Sequence, residues 1–169
     1  LAYQWQRCND ATVGSCANIP SAASISYTLT AADYGKRVRA VVTATNTDDS
    51  AVQATDISAV VSPTPANTIA PSITGVANVG LTLTRTPGTW TPGDAVLTTA
   101  WLRCNDTTIG SCSVIAGQTG PTYTLVAADD SKYIRVRVTG TTAAGNVDAN
   151  SLATAQVTVR ARPGVVVAP

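Results

Sequence analysis

The chain matches itself. Trp5-Gln6-Arg7-Cys8-Asn9-Asp10 aligns with Trp101-Leu102-Arg103-Cys104-Asn105-Asp106, an offset of 96 residues, and the register continues without a gap. Gly14-Ser15-Cys16 meets Gly110-Ser111-Cys112, Tyr27-Thr28-Leu29 meets Tyr123-Thr124-Leu125, and Ala31-Ala32-Asp33 meets Ala127-Ala128-Asp129. Lys36, Val38 and Arg39 meet Lys132, Ile134 and Arg135. So many coincidences at one spacing mean duplication of a folded unit. The second copy begins near Ile69-Ala70-Pro71, and roughly 28 of its residues, Ile69 to Val96, have no counterpart ahead of Leu1.

The expected layout is therefore a unit at 1–62 lacking its first two strands, a Pro-rich linker at 63–68, a complete unit at 69–159, and at 160–169 a linker with the start of a further unit. Val166-Val167-Ala168-Pro169 echoes Thr68-Ile69-Ala70-Pro71, which suggests a segment cut from a longer array. Ser62-Pro63-Thr64-Pro65-Ala66-Asn67 and Arg160-Ala161-Arg162-Pro163-Gly164 read as joints, because proline stiffens an extended chain and cannot donate to a sheet.

Thr, Val and Ala dominate, and the chain has no His, Met, Phe or Glu. Thr and Val suit the half-buried surface of a strand, and turn residues recur between short apolar runs, so an all-β fold is expected, with almost no helix. In the complete copy, strands are expected near Ser72–Gly75, Leu81–Thr86, Thr98–Cys104, Tyr123–Val126, Tyr133–Thr141 and Ala153–Val159, with a short one near Ser113–Ala116. That gives about seven strands, the number an immunoglobulin-like sandwich needs. Ile134, Val136 and Val138 alternate with Arg135 and Arg137, so the apolar set faces inward, and Val38, Ala40 and Val42 repeat the pattern. Trp5 and Trp101, on the third strand, are expected to fill the space between two sheets rather than to stack on a sugar. Thr30-Ala31-Ala32-Asp33 resembles a capping box, and Gly35 would supply a positive φ. Val126 and Ser131 stand at the matching places, so the second corner is expected to be held differently.

Cys8 with Cys16 and Cys104 with Cys112 each enclose Asn-Asp, a polar turn and Gly-Ser, as in a hairpin closed by a disulfide. Such a loop contributes about 2.5 kcal/mol by chain entropy and implies an oxidising compartment. Two thiols separated by seven residues in a chain without His fit zinc poorly. The intervening loops carry oxygen ligands that could meet calcium, but they lack a third carboxylate, and a polar turn explains them. Asn105-Asp106-Thr107 matches a glycosylation acceptor.

Without His, a serine or cysteine nucleophile lacks its commonest general base. The ten acidic residues are all Asp, none in a close couple with Trp, and no phosphate cradle opens a helix. No enzyme activity, cofactor or metal is expected. A net charge of +1 lacks the footprint of a nucleic-acid binder, and no apolar run is long enough to span a bilayer. Lys36, Arg37 and Arg39, with Lys132, Arg135 and Arg137, form a basic stripe on each copy. It could grip an acidic polysaccharide or a neighbouring subunit, or be a solvated face that blunts sheet pairing.

The run Tyr3-Gln4-Trp5-Gln6-Arg7-Cys8, then Cys16, Tyr27-Thr28-Leu29-Thr30-Ala31-Ala32-Asp33, Gly35-Lys36-Arg37-Val38-Arg39 and Val42-Thr43-Ala44-Thr45-Asn46 resembles bacterial immunoglobulin-like repeats of large secreted and surface proteins. Pro71-Ser72-Ile73-Thr74-Gly75, Val79-Gly80 and Gly88-Thr89-Trp90 look like the opening strands of the same module. The resemblance implies a spacer, stalk, adhesin or fibre role at the cell surface or outside the cell. Its partners would be neighbouring repeats or identical chains, or else a glycan or cell-surface partner bound by an adhesive module. A unit without its first strands exposes edges that a neighbouring chain could complete, with Val165-Val166-Val167 one candidate donor.

Overall fold

The computed structural model describes residues 1–159. The expected linker at 160–169 and the candidate donor Val165–Val167 lie outside the described residues. Strands account for nearly all regular structure: β1 (Ala2–Cys8), β2 (Cys16–Asn18), β3 (Arg37–Thr45), β4 (Ser50–Ala54), β5 (Ala66–Ile69), β6 (Ser72–Thr74) and β7 (Thr82–Thr86). They continue with β8 (Thr89–Thr91), β9 (Val96–Cys104), β10 (Cys112–Val114), β11 (Thr122–Thr124), β12 (Tyr133–Thr142) and β13 (Gly145–Asn150). The helical pieces among the described residues are single 3₁₀ turns of three residues. Every strand pairing is antiparallel.

The chain divides into two compact units, with the break between Thr64 and Pro65. The first holds one four-stranded sheet in the order β2-β1-β3-β4. Its small core is Ile19, Val38 and Val61, with Trp5, Ala22 and Tyr27 packed against it. The second holds the equivalent sheet, β10-β9-β12-β13, together with β11-β7-β6 and β5-β8. Leu83, Trp90, Trp101, Tyr123, Ile134, Val136 and Val138 from these sheets, with Leu125 and Val157 from the segments that follow β11 and β13, form one shared core. The long strands have the same register in both units: Trp5 faces Ala40 as Trp101 faces Val136, and Ala44 faces Ala51 as Gly140 faces Val147.

Several expectations need correction. Ala66–Asn67 and Thr68, assigned to a linker, belong to β5, which pairs with β8, the strand over the Thr89-Trp90 of the expected opening strands. No strand runs over Ala153–Val159. The partner of β12 there is β13, and beyond it Ser151, Thr154 and Val157 donate to the carbonyls of Val136, Ile134 and Lys132. Three residues on one side span two on the other because the Ser151 and Thr154 hydroxyls accept from the Val136 and Ile134 N–H groups, breaking the ladder. Trp101, Ile134, Val136 and Val138 are fully buried, and Val38 is buried at the edge of its small core. Trp5 and Val42 are only half-buried, since no second sheet faces theirs in the first unit.

The two corners are also more alike than expected. Ser131 adopts φ 61°, close to the 75° of Gly35, and both N–H groups bond the carbonyl of the valine that follows their long strands, Val157 and Val61. In both corners the carboxylate accepts the backbone N–H three residues earlier, as the capping box requires, from Thr30 and from Val126; the Thr30 hydroxyl adds a further bond to Asp33, and its loss at Val126 leaves the shared bond in place.

Candidate functional site

Each unit ties its long hairpin to its corner through one buried carboxylate. Arg7 in β1 and Arg103 in β9 share a face with the tryptophan two residues earlier, which carries their guanidinium groups to the end of the core. There Arg103 Nε donates to Asp129 Oδ1 at 2.7 Å, the Tyr123 hydroxyl to Oδ2 at 2.8 Å, and the Val126 N–H to Oδ2 at 2.7 Å. In the first unit Asp33 accepts from Arg7 Nε at 2.7 Å, the Tyr27 hydroxyl at 2.9 Å and the Thr30 N–H at 2.7 Å. Both carboxylates are fully buried, whereas both arginines keep partial contact with solvent. A buried charge is tolerated only when paired and hydrogen-bonded, as here. Burial pushes the Asp33 carboxyl up, but the donors from Thr30, Arg7 and Tyr27 outweigh it and hold it below its ordinary value. Burial, and then the bond to Asp129, raises the Tyr123 phenol to about 12.

Sequence reasoning missed this network. Its signal was present, since Arg, Tyr and Asp recur at the same spacing in both copies, at 7, 27 and 33 and at 103, 123 and 129.

Cys8 and Cys16, and likewise Cys104 and Cys112, are directly opposite in register and bridged. No free cysteine is present among the described residues. The disulfides indicate an oxidising environment. Inside each loop, Asp10 and Asp106 accept from the backbone N–H and hydroxyl of Thr12 and Thr108. The hydroxyl bonds, then the backbone ones, lower both carboxyls. Oδ1 of each aspartate is thus engaged in an Asx-type turn. Among the described residues, no group of three or more His, Cys, Asp or Glu is placed to hold a metal ion.

The basic stripe is spent on the protein itself. Lys36 Nζ reaches Asn9 Oδ1 at 2.8 Å and Lys132 Nζ reaches Asn105 Oδ1 at 2.9 Å, strapping each disulfide loop to its corner. Arg37 donates to the Ser58 carbonyl and Arg39 to Gln6 Oε1, both at 2.7 Å. Arg135 donates to the carbonyls of Ser151 and Thr107, and Arg137 lies 3.7 Å from Asp148. Nor is the stripe one repeated surface, because Arg37 and Val41 of β3 correspond to Tyr133 and Arg137 of β12.

No helix among the described residues is long and apolar enough to cross a membrane. No family model, curated protein or solved structure matches this chain.

Proposed function

We propose that the chain is a structural segment of a bacterial surface or secreted protein: immunoglobulin-like units in series that act as an extracellular spacer, stalk or fibre-forming element. The observation that carries this reading is where the polar chemistry goes. In both units the arginine–aspartate–tyrosine corner, the lysine–asparagine strap and the disulfide hairpin join elements of the same unit, and the cations that could have formed a binding stripe are used the same way. Repeating one self-bracing unit suits a load-bearing array.

Stretching single molecules of the chain tests it. Two separate rupture events are expected, and chemical reduction should lengthen each by about 2 to 3 nm as the loop between the paired cysteines is released. Smooth extension without rupture events would defeat the reading.

An adhesive or carbohydrate-binding module is the second reading. It is favoured by a hollow of about 290 Å³ along Pro20, Ser21, Ser24, Ser26, Tyr27 and Thr28, beside the half-exposed Trp5 and Tyr27 rings, whose centroids are 5.8 Å apart.

A further inference from the structure

We propose that the outward face of the β11-β7-β6 sheet in the second unit is an ice-binding surface. Its ligand is the regular lattice of water oxygens at the surface of an ice crystal. The inference goes beyond the serial-unit reading and does not depend on it, because it concerns one face of the second unit alone.

Alternation decides what this face carries. Ile73, Leu83 and Tyr123 pack into the core, so the residues on either side of each point outward. In β7 these are Thr82, Thr84 and Thr86, all exposed. Ser72 and Thr74 of β6 and Thr122 and Thr124 of β11 are exposed as well. Every outward position of the three strands is thus a hydroxyl, with no charge, amide or ring among them. The other outward face of the same unit differs, for there β12 presents Arg135 and Arg137 and β13 presents Asp148. Strand propensity favours threonine on both faces equally, so it does not explain why one of them is hydroxyl throughout.

Register turns the hydroxyls into a grid. Thr84 stands opposite Thr122 on one side and Thr74 on the other, while Thr82 opposite Thr124 and Thr86 opposite Ser72 make the flanking rows. Successive rows lie two residues apart along the strand, about 6.7 Å, and neighbouring columns about 4.8 Å apart. Two rows are held by their own bonds. Ser72 Oγ and Thr86 Oγ1 share a hydrogen bond at 2.8 Å, and Thr82 Oγ1 and Thr124 Oγ1 share one at 3.0 Å. The branched Cβ of threonine restricts χ1 further, so the array keeps its shape before any ligand arrives.

This geometry selects ordered water. On the faces of ice that run parallel to its long axis, oxygens repeat at two similar perpendicular intervals, and hydroxyls on such a grid take the place of lattice oxygens. The methyl beside each threonine hydroxyl adds apolar contact that disordered water does not reward. A charged side chain would impose its own hydration shell on the lattice. A glycan would call for a ring to stack on and a polyanion for cations, and this face offers neither.

The test freezes a solution of the full chain slowly, beside a reference protein of similar size and charge. It measures how much of each enters the ice and how fast ice grains coarsen on annealing. The chain should be enriched in the ice severalfold over the reference and should slow coarsening. Thr84→Lys, at the centre of the grid, should reduce both effects to the level of the reference, and Thr122→Lys in the same row should do the same. Thr98→Lys, exposed on the other outward face, should leave both unchanged. Thermal melts of the three variants should match the parent, as exposed substitutions do. The proposal is overturned if the chain enters ice no more than the reference does, or if Thr84→Lys and Thr98→Lys weaken the effect alike. It is equally overturned if ice excludes the chain while a neutral oligosaccharide slows amide exchange across Thr82–Thr86.

Discussion

Trp5 and Trp101 hold the same place in the same strand, and each donates its indole N–H to a backbone carbonyl at 3.0 Å, of Ser24 and of Gly120. Each leans on a tyrosine, with ring centroids 5.8 and 5.6 Å apart. Yet Trp101 is wholly buried and Trp5 is not. The pairs Val42 and Val138, Tyr27 and Tyr123, and Leu29 and Leu125 differ in the same sense. The local instructions are shared; the layer formed by β5 to β8 is not. Burial of a strand's apolar face is thus a property of what lies opposite, whereas register, disulfide and corner are carried by the strand and its neighbours in sequence. Fully burying one leucine-sized side chain is worth about 1.5 to 3 kcal/mol, so several such differences separate the cores by an amount comparable to a domain's net stability.

The comparison can be broken at several points. Trp101→Ala should destabilise the second unit by about 3 to 5 kcal/mol in denaturant unfolding, because a fully packed indole leaves a cavity, whereas Trp5→Ala should cost the first unit under half as much. Equal losses would show that the covering layer does not matter to these rings. Arg7→Ala and Arg103→Ala should instead cost both units alike, about 2 to 3 kcal/mol, since each strands a fully buried carboxylate. Thermal melts followed by near-ultraviolet dichroism would report both.

Titration sharpens the contrast. The Tyr123 phenol is raised from 10.0 to about 12, so its contribution is complete below pH 10 and is lost as pH climbs toward 12. The second unit should weaken there by on the order of 2 to 3 kcal/mol, and Tyr123→Phe should abolish that dependence while costing some stability at neutral pH. At the acid end the sign reverses. Asp33 is held below its ordinary value, so the first unit keeps that contribution above the ordinary carboxylate range and loses it as pH falls through the lowered value.

Gly140→Ala has a smaller expected effect. Its new Cβ meets the Trp90 ring, so a loss of about 1 to 3 kcal/mol should appear in the second unit. Ala44→Gly, at the matching position with no indole above it, should change the first unit by no more than about 1 kcal/mol.

What was legible in the sequence follows the same division. The offset repeat exposed both hairpins and the cysteine pairs, because those contacts lie within one strand and its turn. The alternation of Ile134, Val136 and Val138 gave their inward orientation, since a strand's period of two is local. By contrast β5 is four residues long and follows a Pro-rich stretch, with no apolar alternation to announce it, and β8 was legible only through the resemblance of Gly88-Thr89-Trp90 to an opening strand. The segment after β13 carries apolar residues suited to a strand, but the Ser151 and Thr154 hydroxyls divert its ladder, a competition that propensity does not register. The Arg–Tyr–Asp corner was visible only as recurring letters, because its residues meet across 20 and 26 positions of chain. The half-exposure of Trp5 depends on a layer that its own unit does not contain.

Amide hydrogen exchange on the intact chain measures the contrast most directly. If the β5 to β8 layer sets the difference, amides of β9 and β12 should exchange by about two orders of magnitude more slowly than their counterparts in β1 and β3, paired by the same register. Equal protection of Trp5 and Trp101, and of Val42 and Val138, would contradict it.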